Sequence, residues 1–564
     1  MIRSKIPPHT VRTKPWVYLA FASILIVAAL LRFTKLSEIP PGVNRDEASI
    51  GYTAYSILRT GKDEYGRFLP ISFESFGDWK LPLYIYLTVP SVAAFGLNEF
   101  AVRFPSALAG TLAVFLTYFL VLELFNDETR SPKHETLALL SALLLAVSPW
   151  HIHLSRVESE SNLAVFLVTL AVLLLVWSIR KKPGLLPISA FFFGLTYWTY
   201  HGNHIFTTLL IVVMCVLFVR KIFRNPYIGV SALILVVLSG IILSVTILGA
   251  DKTKIAGISI FSDPMTVHEE IERPRSAYAS PQALEARIFH NRVVYAVETV
   301  AQNYIRSFSP EFLFIRGGTN RAHNIENFGN MYLVEAPFLL LGIFFLMTHR
   351  KQTWAKLILI WIAISPIAAS ITKDAPHTNR MFAIYPMPAI ISAMGIIYLF
   401  SLTDSVRRAK YLIITGIVLF YAANVSVYLE RYFVQFPYME AKYWGVGYKQ
   451  LSAYLSTSPL NGKRVVITHP EYSPYIFLLF YQRTDPAFYQ KSVTRYEPTE
   501  DAFVHVKGFG NNEFRPIDWK NDVSNDTVLV DVTDEVPQWV VGNIPVHPIL
   551  LPDGTSQFSV FTPL

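Results

Sequence analysis

Two adjacent carboxylates, Asp46 and Glu47 in PGVNRDEASIGYTAYSILRTGK, lie upstream of a cation, Lys80, in FGDWKLPLYIYL. One apolar run precedes this stretch and another follows it, which places all three groups at a membrane surface. Ionisable side chains held against a bilayer are costly and mark functional positions by default. A carboxylate there can serve as a general base toward a hydroxyl or an amine. The pair also suits the N-terminus of a helix starting near Ala48, where acids favour the helix dipole. A cap can be catalytic, so neither role excludes the other. Lys80 reads two ways as well, as a snorkelling interfacial lysine or as a point charge that binds a phosphate.

A second cluster, HIHLSRVESE, puts His151, His153, Arg156, Glu158 and Glu160 at the end of another apolar run. His-X-His beside acids could ligate a metal, but nothing else in the chain has metal-site spacing. The stretch reads better as a second acidic wall facing the first. No metal ligand is assigned, no cofactor is demanded, and assistance by a divalent metal stays open. His201 and His204 in YWTYHGNH, Arg321 and His323 in GGTNRAHNIENFGN, and His377 and Arg380 in KDAPHTNRMFAIYP add candidate cations. An arginine entering an apolar span needs a partner, and its fork of donors suits a phosphate. Acids at one end and cations from later loops fit a base plus a cationic seat for a phosphate leaving group. The chain has no G-x-x-x-x-G-K-[ST] loop and no Rossmann run of glycines. A lipid-borne phosphate donor therefore fits better than a nucleotide.

The elements that must position these residues are membrane spans. Of 564 residues, 52% are hydrophobic and 16% charged. Apolar runs of roughly 17–22 residues recur, matching the ~20 needed to cross a bilayer. The formal net charge is +8, with −4 in 430–564 and +12 in the rest. Its cations sit between apolar spans, where topology accounts for them and nucleic-acid binding is not needed. Candidate spans are 16–33, 81–97, 104–125, 136–154, 161–179, 185–201, 204–220, 228–249, 332–348, 355–371, 380–402 and 411–428. The basic N-terminal tail and the connectors Arg180-Lys181-Lys182, Arg220-Lys221, Arg350-Lys351 and Arg407-Arg408 should be cytoplasmic. That parity requires 81–97, short and holding Pro82 and Pro90, to be an interfacial helix. About 11 transmembrane helices remain, and every unusual polar cluster falls on the outer face. The expected fold is an α-helical polytopic membrane domain, 1–429, with an outer loop 34–103 and an outer segment 250–331. Alternating short strands and helices predict a small soluble α/β domain over 430–564, hung outside the membrane. Cys215 is the single cysteine, so there is no intrachain disulfide.

In its order of RDEA, KLPLY and Arg103-Phe104-Pro105-Ser106, the chain resembles the GT-C membrane glycosyltransferases. Within that group it is most similar to the family 39 protein O-mannosyltransferases and the lipid A aminoarabinose transferases. SRVESESNL resembles the second acidic motif, with Glu160 the better match and Glu158 the alternate, and APHTNR resembles a bacterial His/Arg motif. The resemblance implies a polyprenyl-phosphate-linked monosaccharide as donor and inverting transfer on the extracytoplasmic face of the cell membrane. It implies Asp46 as the base, Glu47 as its neighbour on the acceptor side, and Lys80 and Arg380 on the donor phosphate. Arg321 is a further phosphate candidate, and His377, His201, His204 and Arg156 complete the expected site. Protein O-mannosyltransferases carry His-Pro where this chain has Lys80-Leu81-Pro82, so the acceptor (protein, glycan or lipid) is not implied. A transporter or flippase of lipid-linked sugars is the alternative, disfavoured by the lack of internal repeats. A non-catalytic subunit presenting 430–564 is a third reading.

Overall fold

The computed structural model describes residues 14–125, 132–249, 257–402, 407–458, 460–499, 503–532, 536–540 and 542–562. The basic tail carrying Arg3, Lys5 and Arg12 lies outside these residues. Helix α1, Pro15–Phe33, opens with proline at its first turn, where the missing N–H costs nothing. Helix α2, Arg45–Thr60, is capped by Asn44, whose side chain accepts from the Glu47 amide at 2.9 Å, and ends at Gly61 in the left-handed region. Next comes an antiparallel hairpin, β1 Phe73–Ser75 and β2 Asp78–Lys80. Its two turn residues, Phe76 and Gly77, both have positive φ, the backbone that matches strand twist in a two-residue turn. That hairpin is absent from the sequence reading, and it is what delivers Lys80.

Helix α3, Pro82–Phe95, has 14 residues and so rises about 21 Å, short of a ~30 Å hydrocarbon core. Helices α4 (Glu99–Leu124) and α7 (Glu160–Arg180) are long, apolar and mostly buried. Between them, the single expected span 136–154 is two helices, α5 (Pro132–Val147) and α6 (Pro149–Arg156), bent by 56°. Pro149 has no N–H to continue the ladder across Ser148, which explains the break. Among the described residues six helices are long and apolar enough to cross a membrane, or seven counting the bent pair as one. The other four expected spans coincide with the shorter apolar helices 183–196, 201–217, 333–348 and 387–402. The helices at 228–248 and 410–439 bury little of their apolar surface in the protein. In a bilayer that surface faces lipid.

Beyond 257, Arg292–Arg306 is an amphipathic helix capped by Asn291, with Val293, Val297 and Ile305 exposed. Its buried Asn303 donates to the Ser370 carbonyl at 3.0 Å.

Residues 446–561 hold a seven-stranded sheet of order β4-β5-β6-β3-β7-β9-β8. The strands are β3 Arg464–Ile467, β4 Thr494–Arg495, β5 Val506–Phe509, β6 Asn512–Phe514, β7 Thr527–Val532, β8 Val546–Leu550 and β9 Ser556–Phe561. Central β3 runs parallel to β6 and β7, and the other pairings are antiparallel. The α/β character accords with the expectation, and the unit packs closely on the helical domain. Tyr52, Ile85 and Val102 share one core with Leu451, Ile476, Phe480 and Val528. Val43 N–H donates to the Tyr481 hydroxyl at 3.1 Å, and Gln490 donates to the Asp63 carbonyl at 2.9 Å. A Cβ on Gly42 would run into the Trp444 carbonyl oxygen. The face of α2 that carries Tyr52 and Ile57 needs apolar cover, and the C-terminal unit supplies it.

Candidate active site

The adjacent acids Asp46 and Glu47 point to different environments. Asp46 is about half exposed and its Oδ1 lies 3.2 Å from Lys80 Nζ, itself only 5% exposed. A second acid, Asp78, reaches the same ammonium at 3.4 Å, and the Phe76 ring lies 4.4 Å from it. Glu47 is fully buried. Its carboxylate takes a two-point contact from Arg103, at 3.0 and 2.8 Å, and a further hydrogen bond from the Glu158 amide at 2.9 Å. Arg103 also donates to the carbonyls of Leu36, Pro40 and Gly42. Glu47 thus sits in a sealed hub that pins the turn before α2, away from the rim where Asp46 stands.

The second acidic wall does face the first. Glu158 lies in the short connection between α6 and α7, and Ser159 caps α7 by accepting from Asn162 N at 3.2 Å. Burial, reinforced by the negative charges of Glu160, Asp46 and Glu47, pushes the Glu158 carboxyl well above the usual carboxylate range, against the opposing pull of Lys80. Ser161 donates to Asn379 and so ties this wall to the 372–380 loop.

Cations are fewer at the site than the sequence suggested. The rings of His323 and His377 are 5.3 Å apart. Burial lowers His323 to about 4, with Asp46 opposing and Arg380 assisting, and it holds His377 well below the ordinary histidine range. Both imidazoles are therefore neutral at neutral pH, and the charge on this side comes from Arg380. Arg380 is 11% exposed, donates to Thr372 Oγ1 at 2.7 Å and reaches Asp374 at 3.4 Å.

Arg380 also lines a cavity of about 450 Å³ whose walls are mostly apolar, among them Ile205, Ile260, Val300 and Ile371. His201 and His204 line it too. His204 is bonded at 2.8 Å to the Tyr197 carbonyl and stacks on that ring. Arg321 stands apart, 2.6 Å from Glu326 and 3.7 Å from Glu440, over the Tyr443 ring. Arg156 is buried, donating to the carbonyls of Leu31, Lys35 and Ile39. It holds the chain that leaves α1 and has no face toward solvent. Among the described residues no group of three or more His, Cys, Asp or Glu is placed to hold a metal ion.

One part of the arrangement carried no sequence signal. Ser49 donates to Ser75 at 2.5 Å, and Ser75 donates to Glu64 at 2.7 Å, a buried chain running under the hairpin that carries Lys80. Arg495 of the C-terminal unit covers it, donating to the Glu64 carbonyl at 3.4 Å with its guanidinium 4.0 Å from the Tyr65 ring. Arg495 is too far along the chain for any local spacing to reveal the contact. The hairpin itself escapes the sequence because Phe-Gly is not one of the dipeptides that mark a two-residue turn.

Residues 80–243 match the family model described as dolichyl-phosphate-mannose-protein mannosyltransferase. YkcB of Bacillus subtilis (strain 168), a candidate mannosyltransferase, is 30% identical over 113 residues, 20% of this chain and 15% of that relative's length. ArnT from Cupriavidus metallidurans, solved bound to undecaprenyl phosphate, superposes with a TM-score of 0.54 at 14% identity, covering 97% of this chain and 98% of that one. Its apo state gives 0.53 at 12% identity over the same shares. At such identity the likeness speaks for the fold. The mannosyltransferase match lies over Lys80, α3, α4 and the second acidic wall, and the ArnT match spans nearly the whole chain. The chain thus has the fold of ArnT, and over residues 80–243 it is similar to the mannosyltransferase family model.

Proposed function

We propose that the protein transfers a monosaccharide from a polyprenyl-phosphate donor to an acceptor hydroxyl or amine, with Asp46 as the base. The observation that carries this reading is the Asp46–Lys80 pair, in which a reachable carboxylate touches an almost fully buried ammonium. A second cation, Arg380, lines the 450 Å³ apolar cavity. His323 has Asp46 and Arg380 as its charged neighbours, which links the two cations across the site. A lipid phosphate would sit between Lys80 and Arg380, with the start of its isoprenoid chain in the cavity. ArnT, whose fold this chain shares, was solved with undecaprenyl phosphate, which supports a donor of this class.

The step is a single displacement. Asp46 takes the acceptor proton as the acceptor oxygen or nitrogen bonds to the anomeric carbon. The bond from that carbon to the phosphate oxygen breaks, and its electron pair leaves on polyprenyl phosphate, so the configuration inverts. Cations aimed at the departing phosphate act where negative charge grows, which is where electrostatic stabilisation is most effective. Lys80 has a further role in the resting site. Shared by Asp46 and Asp78, it holds the base in an ion pair until an incoming phosphate competes for the ammonium. Glu158, whose carboxyl is held above its ordinary range by burial, is the acid of this wall placed to hydrogen-bond a sugar or acceptor hydroxyl. Glu47 acts at one remove, by fixing Arg103 and the first turn of α2. Placement of the active face and of the C-terminal unit outside the cytoplasm rests on the charge of the connectors.

The test is transfer from a labelled panel of polyprenyl-phosphate sugars in membranes holding wild type or Asp46→Asn. Release of label by wild type alone, with both proteins inserted equally, is the expected result and identifies the sugar. Undiminished transfer by Asp46→Asn would remove Asp46 from the role of base.

A further inference from the structure

At the end of the helical bundle remote from Asp46, five helix termini enclose a second cavity of about 310 Å³. Phe125 follows α4, Lys133 and His134 open α5, and His349 follows the helix Ala336–Thr348. Trp354 opens Thr353–Ile364, and Tyr398 stands near the end of Met387–Leu402. Helix α4 runs from the Arg103 hub to Phe125, and 22 residues of helix rise about 33 Å. The two sites therefore occupy opposite ends of the bundle.

Its walls are aromatic. Phe125 and Trp354 have ring centroids 4.6 Å apart, His349 and Trp354 5.8 Å, and Phe345 and Tyr398 5.5 Å. Leu137, Met394 and Ile397 add aliphatic surface deeper in. Basic groups gather at the mouth: Lys133, His134 and His349 line it, Arg350 and Lys351 follow directly, and among the described residues no carboxylate lines it. The Nδ1 atom of His134 is buried without a hydrogen-bond partner. A buried polar atom left unsatisfied is costly. A lone acyl chain would fill the apolar part and leave His134 unsatisfied, whereas a phosphate can accept hydrogen bonds from histidine and lysine together.

We propose that this cavity binds one anionic glycerophospholipid from the leaflet at that end of the bundle. Its phosphate lies among Lys133, His134 and His349, and the first part of one acyl chain runs along Leu137, Met394 and Ile397. Basic pockets between membrane helices recognise anionic headgroups in this way. The volume is at the low end for a ligand cavity and suits a headgroup with the start of a chain. This site is separate from the transfer site and does not depend on the transfer reading.

The test uses the full-length protein in detergent, mixed with phosphatidylglycerol or phosphatidylcholine, with retained lipids counted by native mass spectrometry. Wild type should hold one phosphatidylglycerol with about tenfold preference over phosphatidylcholine. Lys133→Ala/His134→Ala should lose that preference, and Arg224→Ala, an exposed cation elsewhere on the same end, should keep it. Equal retention of the two lipids, or an unchanged preference in the double variant, overturns the proposal. Displacement by soluble glycerol phosphate would also overturn it, since the site would then take a free phosphate rather than a lipid. Should the double variant fail to fold, a photoactivatable phosphatidylglycerol on wild type decides. Crosslinks at 133–137 and 349–354 support the site, and crosslinks confined to other segments refute it.

Discussion

Two ion pairs built from neighbouring residues show how burial divides labour within one turn of helix. Asp46–Lys80 stands at a rim, with one partner half exposed and room for a ligand to compete. Glu47–Arg103 is completely enclosed, and the pair's remaining hydrogen bonds go to backbone groups. A buried pair costs much to desolvate and holds only while both partners remain. A half-exposed pair is weak in its ground state and therefore available for chemistry. The same contrast separates Arg380, on the wall of a cavity, from Arg156, which is closed over by backbone carbonyls.

The sharpest way to break the contrast is to neutralise each acid in turn. Asp46→Asn should cut transfer by about 10²–10⁴-fold, the usual range for removing a general base, while leaving the melting temperature unchanged. Arg103→Met should do the reverse. Stranding the Glu47 carboxylate should cost about 3–5 kcal/mol, read as loss of folded protein in a thermal melt, with any surviving fraction still active. If Arg103→Met melted like wild type and merely slowed transfer, the hub would belong to the active site after all.

The buried chain under the hairpin sharpens the comparison through pH. Burial raises Glu64 from its ordinary 4.5 to about 7, with the Ser75 hydroxyl and Arg495 opposing. The folded protein thus holds this proton more tightly than the unfolded chain does. Its contribution to stability is complete below pH 4.5 and is lost as pH rises through 7. Glu64→Gln should melt like wild type below pH 4.5 and be more stable at pH 8, by up to about 3 kcal/mol. Parallel melting curves for the two proteins across that interval would refute the assignment. The smallest effect belongs to the surface. Lys449 meets Glu99 at 2.6 Å where the C-terminal unit touches α4, with Lys449 45% exposed. Lys449→Ala should cost about 0.2–1 kcal/mol, less at high salt, and leave transfer intact.

Much of this was legible along the chain because its signals are local. The Asn44 cap, the acids of the first turn and Gly61 mark both ends of α2, and apolar runs mark the long spans. Pro82, at the first turn, marks the start of α3. Other features depended on neighbours that sequence spacing does not name. The bend at Ser148-Pro149 hid inside a continuous apolar run. The histidines read as cations because burial is invisible in a one-dimensional pattern, and burial is what keeps His323 and His377 neutral.

The sequence by itself determined that this is a polytopic membrane chain, because hydropathy is a property of consecutive residues. It also determined the candidate acids and cations. The tertiary structure decided which of them meet. Asp46 faces Lys80 because a hairpin turns at Phe76-Gly77, Glu47 is sealed because α4 brings Arg103 over it, and Arg495 reaches Glu64 because the C-terminal unit packs on α2. Adjacent residues on a helix point about 100° apart, so two carboxylates that look alike in sequence can end in water and in the core.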